Sequence, residues 1–199
     1  MTAESIFRSI AILGIVLTLP IGLYHRIRSQ ATREKLARRE EGIFIMIGLR
    51  LCGLVALIAL VAYLINPSWM GWAYLPLPTW LRWIGGCLAV FALPSLLFWT
   101  FHSLGKNLTD TVVTRREHTL VTHGPYRWVR HPFYDVVLLG VISMSLLTAN
   151  WLLALSGLTA FAMIVVRTRI EEEKLVERFG DQYRAYMART GRFLPRLTH

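Results

Sequence analysis

The chain has 199 residues, 54% of them hydrophobic, and a formal net charge of +10. A soluble domain of this length rarely gathers its apolar residues into long uncharged blocks, so the composition argues against an ordinary water-soluble enzyme. The positive charge does not indicate a nucleic-acid partner either, because Lys and Arg lie in the segments between apolar blocks, as the positive-inside rule expects.

A membrane span needs roughly 20 mostly apolar residues. The first candidate runs from Ile6 to Tyr24, with Arg8 near one end and Pro20 near the other. The N-terminus lacks the basic region and small-residue cleavage site of a signal peptide, so this run is expected to be retained. The second span is Ile43 to Ile65, with one internal charge, Arg50. The third is Leu81 to Phe101, with Arg82 at its edge and Pro94 inside. The fourth, Phe133 to Leu147, carries Asp135 near its start, and the fifth, Trp151 to Val166, carries no charge. Only Thr148 to Asn150 separates these last two, which predicts a tight antiparallel helical hairpin. Cys52 and Cys87 both fall inside apolar blocks and are read as buried small hydrophobes.

The connecting segments orient the spans. Segment 25–41 is rich in arginine, 66–80 is uncharged but holds Trp69, Trp72, Tyr74 and Trp80, 106–130 is basic, and the tail from Arg167 is strongly charged. This alternation predicts five spans, an external N-terminus and a cytoplasmic C-terminus. The fold class is therefore an all-α polytopic membrane protein, read as a single domain. Its three-helix transmembrane part is 1–103, and the part carrying the chemistry is 104–199. From Arg167 to Met187 the pattern is helical, with Leu175, Phe179, Tyr183 and Tyr186 on one stripe and an interruption expected at Gly180-Asp181.

Two segments on the cytoplasmic side carry unusual chemistry. Between Glu117 and Tyr134, glycine, proline, histidine, arginine and aromatic residues crowd against the start of the fourth helix. Pro132 suits a helix's first turn, and the residues before it would offer free N–H groups and a positive dipole end to an anion or polar cofactor. The second segment, Arg167 to Glu173, begins where the fifth span ends. Arg167 and Glu171 share a helix face, in the weaker order for simple helix support. At a membrane boundary such a pair is partly desolvated and needs a partner or a function. Arg50 is the charge deepest in a span, available to a substrate or to a pairing with Asp135. No zinc pattern, phosphate loop or nucleophile elbow is present.

These segments resemble the isoprenylcysteine carboxyl methyltransferase family and its phospholipid methyltransferase relatives. The matching residues are His118-Thr119-Leu120-Val121, Gly124-Pro125-Tyr126, Arg130-His131-Pro132-Phe133-Tyr134, Arg167 with Glu171-Glu172, then Phe179-Gly180, Tyr183 and Tyr186. Leu104-Gly105-Lys106-Asn107 is similar to the family's entry to this region, and the resemblance extends to Pro195. It implies S-adenosylmethionine (SAM) as methyl donor, with S-adenosylhomocysteine (SAH) as product. His118 to Val121, Gly124 and Tyr126 would line the cofactor pocket, and His131 to Tyr134 would form its floor. Glu171 would hold the ammonium, and Arg167 would face the substrate's polar group. Arg130 suits the cofactor carboxylate, and Glu171 or Glu172 suits a cation. Tyr126 or Trp128 suits stacking on adenine or facing the sulfonium. The implied partner is a membrane lipid or lipid-like acceptor, with no metal. Its methylated group is a carboxylate in the prenylcysteine case or an amine in the phospholipid case, where Glu171 or Glu172 would act as base. A sterol-reductase-like protein using NADPH and a non-catalytic membrane accessory protein are the other readings.

Overall fold

The computed structural model describes residues 3–30, 43–104 and 120–196. The five apolar blocks are helices: α1 (Ala3–Gln30), α2 (Ile43–Ile65), α3 (Thr79–Leu104), α4 (Pro132–Thr148) and α5 (Trp151–Phe179), followed by a short α6 (Asp181–Arg189). Among the described residues, α1, α2, α3 and α5 are each long and apolar enough to cross a membrane, and α4 is a shorter apolar helix of 17 residues. The chain is thus an all-α polytopic membrane protein. α1 stays helical through Pro20. In α3 the residues Leu88–Ala92 form a wider π turn just before Pro94. Proline has no N–H to donate back to Val90 and its ring crowds that carbonyl, so the widened turn relieves both problems.

The helices pack in the order α2, α5, α4, α3, α1, and α5 is flanked on one side by α2 and on the other by α4. Close approach depends on small residues, as it does where lipid supplies no hydrophobic drive between helices. A side chain at Gly85 of α3 would strike the α4 backbone at Leu147 and Ser143, and one at Gly157 of α5 would strike Val141. The hydrophobic side chains left exposed on α1 and α2 are those expected to meet lipid. Cys87 is also exposed and Cys52 is half-buried, so neither is the buried residue expected. The reason is that these helix surfaces face the bilayer and need no protein cover.

The predicted hairpin is present. α4 ends with Ala149 in the left-handed region (φ 49°), and the buried Asn150 caps α5 by accepting from the amides of Leu152 (3.0 Å) and Leu153 (3.1 Å). The segment after α2 folds over this turn, with the Leu75 amide donating to Ala149 O at 2.7 Å. Trp69, Trp72, Tyr74 and Trp80 remain exposed at that end.

Beneath them lies a feature that the sequence did not announce. Arg82, in the first turn of α3, is 5% exposed. Its guanidinium donates to both carboxylate oxygens of Glu4 (2.8 and 2.9 Å), to Leu147 O (3.0 Å) and to Tyr63 (3.3 Å), and it lies over the Phe7 ring. Tyr63 donates to the same carboxylate at 2.6 Å. Four helices are thereby tied together by one charged cluster. A cleft of about 390 Å³ opens beside it, between Glu4, Tyr63, Met70, Tyr74 and Thr148.

At the other end, α5 runs without a break from its apolar part through the charged Arg167–Phe179 stretch. Gly180 (φ 54°) then ends it and caps α6, whose first residue is Asp181, so the expected interruption is present.

Candidate active site

The motif residues between Val121 and His131 form an ordered platform against the end of α3. Gly124 turns at φ +61°, and a Cβ there would run into Ser103. Both facts demand glycine. A single 3-10 turn, Gly124–Arg127, follows, and Trp128 packs edge-on against Trp99 at 5.4 Å. From the opposite side α6 seals this platform. Tyr183 and Tyr186 are buried, and the Tyr186 hydroxyl donates to Tyr126 O at 2.6 Å. Tyr183 and Tyr186, the last members of the tail's apolar stripe, therefore pack on the protein itself. Burial pushes the Tyr186 phenol up to about 12, so it remains a hydroxyl donor near neutral pH.

The tail beyond α6 returns to the platform. Gly191 pairs in parallel with Val129, the Arg130 amide donates to Gly191 O (2.9 Å), and the His131 amide donates to Arg192 O (3.1 Å). The N–H groups expected to be free before Pro132 are therefore occupied. The Arg130 side chain is likewise engaged. It donates through Nε to Glu172 Oε1 at 2.7 Å, and to the carbonyls of Met187 (3.3 Å) and Thr190. The donors that the sequence offered to an anion stabilise the tail instead.

Glu172 is the centre of this arrangement, 4% exposed. Its Oε1 meets Arg130 and the His131 Nε2 (3.3 Å), and its Oε2 accepts from the Nε of Arg192 (3.1 Å) and from that guanidinium's Nη2. Two arginines and a histidine around one carboxylate are what a buried negative charge requires. Both of its oxygens are engaged by donors of the protein itself. Charge alone suited either Glu171 or Glu172 to a cation, while the resemblance assigned the ammonium to Glu171; the two side chains have different surroundings.

Glu171 is different. Its side chain retains 23% exposure and accepts a 2.8 Å hydrogen bond from the Tyr134 hydroxyl, with His131 Nδ1 at 3.9 Å. The His131 and Tyr134 rings stack at 5.5 Å. The Tyr126 phenol is buried close by. Burial, then the neighbouring Tyr186 and the Glu171 charge, push it up from its ordinary value. Arg167 lies one helical turn before Glu171, half-buried. A partly reachable carboxylate, two tyrosines and an arginine thus share one end of the helix bundle.

Of the predicted site residues, Tyr126, Arg130, His131, Tyr134, Glu171 and Glu172 are linked by these contacts. Pro132 is buried at the start of α4, and Phe133 stacks on Phe101 at 5.4 Å. Val121 is buried and Leu120 half-buried. His118, Thr119 and Gly105-Lys106-Asn107 lie outside the described residues. Arg50 is exposed on α2, and among the described residues it forms no ion pair with Asp135. Arg192 is the member of the cluster that the sequence did not single out. A lone arginine in a short tail carries no periodicity or spacing that would mark it.

Known proteins share this region. The model of the isoprenylcysteine carboxyl methyltransferase (ICMT) family matches residues 84–177. Human protein-S-isoprenylcysteine O-methyltransferase is 32% identical over 127 residues, covering 62% of this chain and 44% of the relative. The uncharacterized protein YpbQ of Bacillus subtilis is 28% identical, covering 48% and 57%. The cobalt-zinc-cadmium resistance protein CzcN of Cupriavidus metallidurans is 34% identical, covering 42% and 39%. The chain thus spans about half the length of these relatives. The matched residues 84–177, which hold α4, most of α5 and the Arg130–Glu172 centre, are where the chain is similar to the ICMT family.

Proposed function

We propose that this protein is an integral membrane methyltransferase that uses SAM and releases SAH, and that its acceptor is a lipid-borne carboxylate of the isoprenylcysteine type. The observation that carries the reading is the contrast between the two neighbouring glutamates. Glu172 is consumed by structure, while Glu171 stays partly exposed beside Tyr134 and one turn from Arg167.

The residues fit such a cofactor at its cationic end. Glu171 would hold the ammonium, and Tyr126 presents an aromatic surface suited to a sulfonium. Tyr134, Phe133, Pro132, Leu120 and Val121 would wall the pocket. By the resemblance, His118 and Thr119 would line the same pocket. SAM supplies the methyl group as an electrophile, and the protein's own task is alignment and exclusion of water. Arg167 would orient the acceptor carboxylate, which is already ionised near neutral pH and needs no base. Arg50, on the lipid-facing side of α2, would draw the acceptor's polar end from the bilayer. With the basic segments inside, the site faces the cytoplasm, the N-terminus lies outside and the C-terminus inside.

Transfer of label from SAM tests this in detergent-purified protein, with a prenylated cysteine and phosphatidylethanolamine as separate acceptors. Labelled methyl ester from the first supports the reading. Label only on the amine would replace the carboxylate acceptor with a phospholipid. Arg167→Ala should abolish transfer while leaving SAH affinity within a few-fold, and equal loss of both would refute this division of roles.

A further inference from the structure

The two oxygens of Glu172 serve different parts of the chain. Oε1 holds Arg130 and His131, which belong to the platform before α4. Oε2 holds only Arg192, which arrives with the tail. That tail is fixed to the platform by the backbone bonds of Arg130, His131 and Gly191, and Phe193 touches the rings of both His131 and Phe161. The Arg192 side chain is 34% exposed. Water is within its reach, so burial alone does not force its contact with Glu172. A carboxylate with both oxygens engaged cannot rotate. With Oε2 released it can, and Oε1 then no longer presents a fixed acceptor to His131. His131 is the residue that sits between Glu172 and Glu171.

We propose that Arg192 is a positioning residue of the active site. It locks the Glu172 carboxylate, and through it sets His131 against Tyr134 and Glu171. The inference rests on the methyltransferase reading above. Arg192 itself touches neither cofactor nor acceptor.

The test is a double-mutant cycle in the full chain, with Arg192→Ala, Glu172→Gln and their combination, read by methyl transfer from SAM. Small misplacements of an aligned site lower rates by an order of magnitude or more, so Arg192→Ala is expected to lower kcat/KM about tenfold. In the Glu172→Gln background the same change is expected to cost less than about twofold, because its partner is already gone. Arg192→Lys should recover activity to within about threefold. Where alanine impairs folding, Arg192→Met keeps the apolar stem and carries the same expectation. An equal loss in both backgrounds would overturn the proposal and leave Arg192 as an anchor of the tail alone, as would a wild-type rate in Arg192→Ala. A wild-type chain that neither transfers methyl nor binds SAH overturns the methyltransferase reading, and the proposal with it. A wild-type chain that does both, with Arg192→Ala its equal, overturns the proposal alone.

Discussion

Glu172→Gln removes one negative charge from a site with two arginines and a histidine around it. The glutamine is nearly isosteric, so the effect is electrostatic rather than steric. Removing one partner of a buried ion pair costs about 3–5 kcal/mol, because the other charge stays behind. Two features move this site toward the lower end. Arg130 keeps the carbonyls of Met187 and Thr190, and the Arg192 side chain is 34% exposed and can hydrate. A loss of about 3 kcal/mol corresponds to a fall in Tm of roughly 6–12 °C for a chain of this size. Thermal unfolding in one detergent, followed by tryptophan fluorescence at a fixed heating rate, measures it. The fixed rate matters because unfolding of such proteins is commonly irreversible. The control is Asp181→Asn, which breaks a pair whose side chains are 96% and 65% exposed. Exposed pairs contribute little, and this change should leave Tm nearly unaltered. If Glu172→Gln shifted Tm no more than Asp181→Asn, the central role given to this carboxylate would be refuted.

Two further outcomes follow from the opposite end of the molecule. Arg82→Met should destabilise the protein by about 1–2 kcal/mol, moderated because the Glu4 side chain is 36% exposed and keeps Tyr63. The double variant Glu4→Gln/Arg82→Met should lose less than the sum of the single losses. Asn150→Ala removes a buried cap from two amides and should cost about 1–2 kcal/mol by the same unfolding assay, with Asn150→Ser recovering part of it.

The spans and the hairpin were legible because hydropathy and a three-residue gap act locally. The gathering of Tyr126, His131, Tyr134 and Glu171 was legible through motif resemblance rather than through pattern. What stayed hidden depended on contacts between distant positions. Glu4, Tyr63 and Arg82 come from three helices, and nothing in the neighbourhood of any one of them names the others. Arg130 and the amides before Pro132 looked available because the donors were visible in the sequence. Their acceptors, the carbonyls of Thr190 to Arg192, were not. Glu171 and Glu172 are adjacent in sequence but point about 100° apart around a helix, so one is buried and the other reachable. The motif resemblance pointed to Glu171, but charge and spacing alone do not choose between them without knowing which face α5 turns toward the platform.

The claim on which the functional reading depends is that Glu171, and not Glu172, holds the cationic end of SAM. Isothermal titration of SAH into the wild-type protein and into Glu171→Gln measures this most directly. A hydrogen bond between charged groups is worth about 1.5–3 kcal/mol, so the account predicts measurable wild-type binding and a loss of roughly 10- to 100-fold in the variant. Absence of wild-type binding at millimolar SAH, or an unchanged affinity in Glu171→Gln, would contradict it.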